Sequence, residues 1–179
     1  ISTPSAGTVN FRPAVAFDGT NYLVIWVNSF SGGHIRGARV TPAASVLNEF
    51  VISAGNFDTE PYVTYDGSSY LAVWTRGSPP ENEDVYGARV SPAGTVVDSP
   101  AFAIASLLGR QRAGGVAFDG TNYLVVWDHA NNVSTFPPPD GAIFGRRIST
   151  AGGLLDGAAG DPGIAISTGS FNNHSSSVA

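Results

Sequence analysis

Short apolar segments, each preceded by a turn signal, recur along the chain. Residues 22–26 (YLVIW) are apolar at every position, and the same pattern returns at residues 70–74 and 123–127. These segments are rich in β-branched and aromatic residues, which favours β-strands. A strand that is apolar at every position, rather than at every second one, is expected to have both faces buried. The pattern therefore predicts short strands that are packed on both sides.

Each apolar strand belongs to a longer unit that occurs three times. An Asp-Gly turn precedes the strand in every copy, and the strand ends in Trp26, Trp74 or Trp127, which are 48 and 53 residues apart. A second signature follows in the same order: Gly-Ala-Arg-Val, Gly-Ala-Arg-Val and Gly-Arg-Arg-Ile. Matched signatures in a fixed order indicate an internal repeat, and the repeat length constrains the fold.

Each unit is predicted to contain four strands, A to D. In the first unit these are Pro13–Phe17, Tyr22–Trp26, His34–Val40 and Val46–Ile52. Four strands, one tryptophan and about 50 residues per unit are typical of a β-propeller blade. The predicted fold class is therefore all-β, with three four-stranded antiparallel blades that form a partial propeller or half of a six-bladed ring.

The repeat also gives expected boundaries. Blade 1 is predicted at 13–60, blade 2 at 61–112 and blade 3 at 113–174. Residues 1–12 are interpreted as the tail of a preceding blade with its D–A loop, and residues 175–179 as the start of a next strand A. Because closed propellers have four to eight blades, the chain is expected to be a segment of a longer array or half of a two-chain ring. The segment interpretation is favoured.

Two sequence runs carry a family resemblance. AFDGTNYLVVW at 117–127 and GARVSPAGTVVD at 87–98 resemble the blade repeat that occurs in tandem in large exported bacterial proteins. The resemblance covers essentially the whole chain. It implies a propeller architecture and a secreted or cell-surface location in bacteria, and it implies no particular reaction.

Composition narrows the function classes. The chain has no cysteine, which excludes disulfides, thiol catalysis and cysteine-based zinc sites. The formal net charge of −5 argues against nucleic acid as a partner. Since no apolar run approaches the roughly 20 residues that a bilayer-spanning helix needs, no membrane insertion is predicted.

Residues that repeat in all three copies are predicted to be structural. The tryptophans are expected to lie between blades, and the aspartates to bind the backbone of the turns. The arginines of the second signature are expected to lie against a tryptophan or to bind a turn carboxylate or carbonyl. These residues are Trp26, Trp74 and Trp127; Asp18, Asp66 and Asp119; and Arg39, Arg89 and Arg147.

The B–C and D–A loops differ in length and chemistry among the copies, and both are predicted at the same end of each blade. Divergent loops on a constant scaffold are how repeat proteins build binding surfaces, although drift in unconstrained loops gives the same pattern. The predicted ligand contacts are Phe30, His34, Phe57, Asp58, Arg110, Arg112, His129, Phe136 and His174.

One loop suggests a metal. Glu81, Glu83 and Asp84 place three carboxylates within four positions, and oxygen ligands of this kind suit Ca²⁺. The segment matches no EF-hand loop. A structural Ca²⁺ is therefore a weak hypothesis, and no other cofactor is predicted.

The leading hypothesis is a non-catalytic exported module with a binding, interaction or structural role, whose ligand is a carbohydrate or a protein. No catalytic residue is assigned. One alternative is a propeller hydrolase acting on glycans, since paired carboxylates in a cleft are what glycosidases need. Another is a self-assembly module that forms a ring or filament, either as a homo-oligomer or with adjacent blades of a longer chain.

Overall fold

A computed structural model describes residues 7–29, 32–55, 57–78, 82–130 and 141–168. Within these ranges the chain forms twelve β-strands. The described part contains no helix that is long and apolar enough to span a membrane.

The strands form three consecutive antiparallel groups, which we call blades 1, 2 and 3. Blade 1 comprises β1 (Asn10–Phe17), β2 (Tyr22–Asn28), β3 (His34–Val40) and β4 (Val46–Ser53). Blade 2 comprises β5 (Asp58–Tyr65), β6 (Tyr70–Ser78), β7 (Asn82–Val90) and β8 (Phe102–Ala105). Blade 3 comprises β9 (Gly109–Phe118), β10 (Asn122–Ala130), β11 (Ala142–Ser149) and β12 (Ile164–Thr168). The predicted all-β class with three four-stranded antiparallel blades is confirmed.

The core lies between the blades. In β6, residues 70–75 are all buried, with the side chains of Leu71 and Val73 in the cluster shared with blade 3. The intervening residues Tyr70, Ala72 and Trp74 lie in the cluster shared with blade 1. Successive side chains of a strand point to opposite faces, so the unbroken apolar run fills two interfaces at once.

One end of the blades, which we call the turn end, has the same geometry in every copy. Asp18, Asp66 and Asp119 each accept two backbone N–H groups through Oδ1, at 2.6–2.7 Å. The glycine that follows each aspartate has φ between 91° and 96°. Glycine adopts this left-handed conformation without a steric penalty, which explains the repeated Asp-Gly pair.

The repeated arginines also lie toward the turn end. Arg89 contacts the carboxylate of Asp98 with Nε and Nη2, at 2.9 and 2.8 Å, and Arg147 contacts Asp156 in the same way. The hydrogen bonds from Arg147 lower the pKa of the Asp156 carboxyl. Blade 1 differs, since the residue at the equivalent position to Asp98 is Asn48.

Blades 2 and 3 are joined more closely than blades 1 and 2. A short parallel pairing of Asn82 with Gly109 and of Glu83 with Arg110 makes one continuous eight-stranded sheet. Arg146, which is fully buried, donates to the carbonyl of Ile104 in blade 2 and to that of Asp161 within its own blade. Nη1 and Nη2 of the buried guanidinium are thereby hydrogen-bonded to backbone of both blades, while its Nε has no hydrogen-bond partner among the described residues.

Candidate functional site

The opposite end of the blades, which we call the loop end, is formed by the first residues of β1, β5 and β9 and the last residues of β2, β6 and β10. The first residues of β3, β7 and β11 and the last residues of β4, β8 and β12 complete it. In each blade a pair of polar side chains at equivalent positions links the first strand to the second. The pairs are Asn10–Asn28, Asp58–Arg76 and Gln111–His129, at 2.7, 2.8 and 3.1 Å.

In blade 2 this pair is a buried ion pair. Asp58 is fully buried, and its Oδ1 accepts from Nε of Arg76 at 2.8 Å and from Nε1 of Trp74 at 3.1 Å. Ser53 donates to Oδ2, and the guanidinium of Arg76 lies 4.3 Å from the ring centre of Tyr86. Asp58, predicted as a ligand contact, is therefore placed inside the blade with its carboxylate already paired.

In blade 3 the pair joins the buried Gln111 to His129. The backbone N–H of Leu107 donates to Oε1 of Gln111, which assigns the amide NH₂ to the side of His129. That NH₂ group lies 3.1 Å from Nδ1 of His129 and is oriented to donate to it. His129 lines an open depression of about 610 Å³ together with Ser106, Leu107, Leu108 and Gly160.

A cluster of five charged residues, which we call the charge cluster, joins all three blades at the loop end. Glu60 of blade 2 accepts from Nη1 of Arg12 of blade 1 at 2.6 Å and from Nη2 of Arg112 of blade 3. Glu83 lies 3.5 Å from Nε of Arg112 and 3.8 Å from Nε of Arg110. Three guanidinium groups thus surround two carboxylates.

Strand bulges place two members of the charge cluster. The register of β1 against β2 shifts between Phe11 and Ala14, and Arg12 within this bulge has φ 52°. In β5 the shift surrounds Glu60, whose φ is also 52°. Non-glycine residues rarely adopt this conformation, and such bulges re-aim a side chain. Both bulges bring their charged residue to the inner edge, where β1 packs on β5 and β5 on β9.

Sequence reasoning missed Arg12 and Glu60, although a signal was present. Each is followed by a proline, Pro13 or Pro61, which stands at the predicted start of its blade, and the structure places both prolines inside a strand. Since proline cannot donate to a strand ladder, it is confined to edges, strand starts and bulges. The repeated charged-residue–proline pair therefore indicates a bulge with a charged residue in it.

The two acidic residues of β7 face different surroundings. Burial raises the pKa of Glu83, and the guanidinium of Arg112 opposes the rise. Burial also raises the pKa of Asp84, which is hydrogen-bonded to Ser106 and lies outside the charge cluster. Glu81, the third residue of the predicted Ca²⁺ site, lies outside the described residues. Within the described ranges no group of three or more His, Asp or Glu side chains is placed to hold a metal ion.

The remaining predicted contacts are distributed over the loop end. His34 begins β3, and Phe57, with 46 % of its surface exposed, precedes β5. The structure brings Arg110 and Arg112 together around Glu83. Phe30, Phe136 and His174 lie outside the described residues.

Comparisons with known proteins give likeness of structure alone. No family model and no curated protein matches the sequence. An α-L-arabinofuranosidase from Lactobacillus brevis superposes with a TM-score of 0.61 at 11 % identity, over 87 % of this chain and 57 % of that one. A subtype N10 neuraminidase-like protein of a little yellow-shouldered bat isolate from Guatemala gives 0.57 at 13 % identity, over 86 % and 44 %. An exo-1,5-α-L-arabinanase from a bovine ruminal metagenomic library gives 0.52 at 11 % identity, over 87 % and 59 %.

The chain spans 44 % to 59 % of the length of these three structures. At 11–13 % identity the likeness concerns the fold and does not extend to an activity or a substrate. Together with the strand order it identifies the architecture: the chain is folded as three four-stranded blades of a β-propeller.

Proposed function

We propose that this chain is a non-catalytic binding or interaction module, whose contact face is the loop end and whose ligand is a carbohydrate or a protein. A secreted or cell-surface location in bacteria belongs to the same proposal. The proposed location rests on the resemblance of the repeat to the blade repeat of large exported bacterial proteins. The proposed binding role rests on the variable loops, which repeat proteins present on a constant scaffold.

The charge cluster is the observation that carries the proposal. Its residues come from three blades, and they stand at positions that differ between the copies, whereas the Asp-Gly turns of the turn end are the same in all three. The cluster also has one more guanidinium than carboxylate, and the side chains of Arg12 and Arg112 are 49 % and 31 % exposed. Guanidinium groups bind carboxylates and other planar anions through paired hydrogen bonds. We therefore expect a ligand with acidic groups.

The binding role is tested with an array of neutral and carboxylate-bearing oligosaccharides and acidic peptides. We expect retention of acidic members, and at least a tenfold weaker affinity in Arg12→Ala. Arg147→Ala is the matched control, because that side chain is 51 % exposed and pairs with Asp156 toward the turn end. Equal binding by the wild type and Arg12→Ala would refute the role of the charge cluster, and an array without retained members would refute the ligand class.

Glycan hydrolysis is the second candidate function, favoured by one observation. Glu60 and Glu83 both lie against the guanidinium of Arg112, and burial raises the pKa of Glu83, which is the direction a general acid needs. Release of reducing ends from arabinan or from sialylated glycans, abolished in Glu83→Gln, would replace the binding proposal. An unchanged substrate after prolonged incubation supports the non-catalytic role.

A further inference from the structure

The repeated arginine of blades 2 and 3 holds a carboxylate with three donors. In blade 2 the carboxylate of Asp98 accepts from Nε and Nη2 of Arg89 and also from the backbone N–H of that residue, at 2.8 Å. In blade 3 Asp156 accepts from the same three groups of Arg147. Burial raises the pKa of Asp98, but the hydrogen bonds from Arg89 outweigh burial and the pKa is lowered. The repeated arginine therefore provides a favourable site for a carboxylate.

Blade 1 keeps the arginine and lacks the carboxylate. Asn48 follows Arg39 by the same nine positions that separate Asp98 from Arg89. The two residues face each other in the ladder between β3 and β4. Nε of the half-buried Arg39 and Oδ1 of Asn48 are nevertheless both buried without a hydrogen-bond partner among the described residues. The pairing that occupies the other two blades is thus missing from this one.

Blade 2 encloses the two unpartnered groups. Gly94 lies in the turn that follows β7, with φ 85°. A Cβ atom at this glycine would stand 2.9 Å from Nδ2 of Asn48 and 3.1 Å from Cδ of Arg39. Because Cδ is bonded to Nε, the amide and the guanidinium meet under the same glycine. The segments that form this corner, 37–50 and 88–98, are described without a gap.

The charge of Arg39 is not neutralised nearby by an ion pair within the described ranges. Asp18 is a carboxylate close enough to sense it, but its Oδ1 already accepts the backbone N–H groups of Thr20 and Asn21. Burial raises the pKa of Asp18, its backbone hydrogen bonds lower it, and Arg39 contributes less to the lowering than they do. Buried polar groups without a partner are costly, and a bound ion or water is the usual explanation for them.

We infer that Arg39 and Asn48 form a binding site for a small carboxylate anion, which takes the place that Asp98 and Asp156 occupy in the other two blades. The guanidinium presents its N–H groups as a planar fork that fits a carboxylate. The amide of Asn48 has nearly the same shape in both orientations, and an anion selects the one that turns the NH₂ group toward it. The site lies at the turn end, so it is independent of any ligand at the charge cluster.

The test follows the Nε–H resonances of the repeated arginines in proton–nitrogen spectra during titration with sodium acetate. The titration is run at about pH 6.5, where carboxylates are ionised, against sodium chloride of equal ionic strength. We expect the Arg39 resonance to move and to saturate, with half-saturation on the order of 10 mM, since the anion is held by a few charged hydrogen bonds. The resonances of Arg89 and Arg147 are internal controls and should stay, because aspartates already hold them. Arg39→Gln assigns the Arg39 resonance.

Asn48→Asp is the decisive variant, because it supplies the carboxylate from the chain itself. Its Arg39 resonance should no longer respond to acetate, and its melting temperature should exceed that of the wild type. An Arg39 resonance that acetate leaves in place would overturn the inference and leave water as the partner. Equal movement in Asn48→Asp, or at all three repeated arginines of the wild type, would show general screening of charge and would also overturn it. Circular dichroism checks that both variants keep their strands, and the comparison of the three arginines within the wild type needs no variant besides the one that assigns Arg39.

Discussion

The two ends of the blades treat their carboxylates in opposite ways. At the turn end, burial of Asp66 is outweighed by hydrogen bonds from the Tyr123 hydroxyl and backbone N–H groups, and the pKa is lowered. At the loop end, burial dominates and raises the pKa of Glu83 and Asp84. A lowered carboxyl pKa stabilises the folded state at neutral pH, and a raised one destabilises it. The carboxylate of Asp66 therefore stabilises the folded state at neutral pH, whereas the charged forms of Glu83 and Asp84 destabilise it.

This difference indicates which residues of a repeat protein are candidates for a functional role. The residues that form the Asp-Gly turns are the same in each copy, since each blade meets the same physical requirement there. Residues that cost stability and vary between copies need another explanation, and ligand binding is the usual one. Three experiments test this contrast, from the largest expected effect to the smallest.

Replacing the tryptophan that connects the two ends should have the largest effect. Trp74 is fully buried between blades, and its Nε1 binds Asp58 toward the loop end. Trp74→Ala should lower the free energy of unfolding by about 3–5 kcal/mol, measured by urea denaturation, through lost burial and a cavity. Trp74→Phe keeps most of the packing and should lose about 1–2 kcal/mol. Unchanged stability together with lost ligand binding would contradict the scaffold role.

Removing a turn-end charge should give a moderate loss that depends on pH. Asp66→Asn should lower the free energy of unfolding at pH 7 by about 1 kcal/mol, because it weakens hydrogen bonds to the carboxylate. The pKa of Asp66 in the folded state lies below its ordinary value of 3.8, so its contribution is present above pH 3.8 and is lost as the pH falls through the folded pKa. Thermal melts from pH 7 to 2 should show the two proteins converging in acid.

Asp119→Asn is the matched control for that experiment. Asp119 makes the same two backbone contacts in its turn, but no described residue donates to it from a following blade. Its loss should be smaller than that of Asp66→Asn. Equal losses would show that the hydrogen bond from Tyr123 contributes little to the interface between blades 2 and 3.

Removing a loop-end charge should have the smallest effect and the opposite sign. Glu83→Gln should raise the free energy of unfolding at pH 7 by less than about 1 kcal/mol. The pKa of Glu83 in the folded state lies above its ordinary value of 4.5, so its destabilising effect develops as the pH rises from 4.5 through the folded pKa. The gain should therefore vanish in thermal melts below pH 4.5. A loss at pH 7 would show that Arg110 and Arg112 depend on this carboxylate.

Most of the fold could be predicted because its determinants are local. The Asp-Gly turns and the apolar strands between them are read from adjacent residues, and the predicted strand His34–Val40 coincides with β3. The start of β1 was predicted at Pro13, whereas the strand begins at Asn10. The proline lies in a bulge inside the strand, and a strand containing a bulge extends past the residue that interrupts its ladder.

The charge cluster could not be predicted in the same way. Arg12, Glu60 and Arg112 come from three blades, so their meeting depends on how the blades pack and on two bulges. The burial of Asp58 was also beyond a sequence argument, because a loop-side acid and a buried ion pair look alike until Arg76 is seen opposite it.

The unequal joints between the blades have a consequence for how the molecule opens. Blades 2 and 3 share one continuous sheet and the buried Arg146. Blade 1 is held to blade 2 by its apolar face, by Tyr70, by the Arg12–Glu60 pair and by the hydrogen bonds of Ser53 with Asp58 and Arg76. In a linear array the least strongly coupled unit detaches first, and its amides exchange fastest with solvent. Blade 1 is therefore expected to detach first, and its opening exposes the side of β6 that carries Tyr70, Ala72 and Trp74 while blades 2 and 3 stay folded.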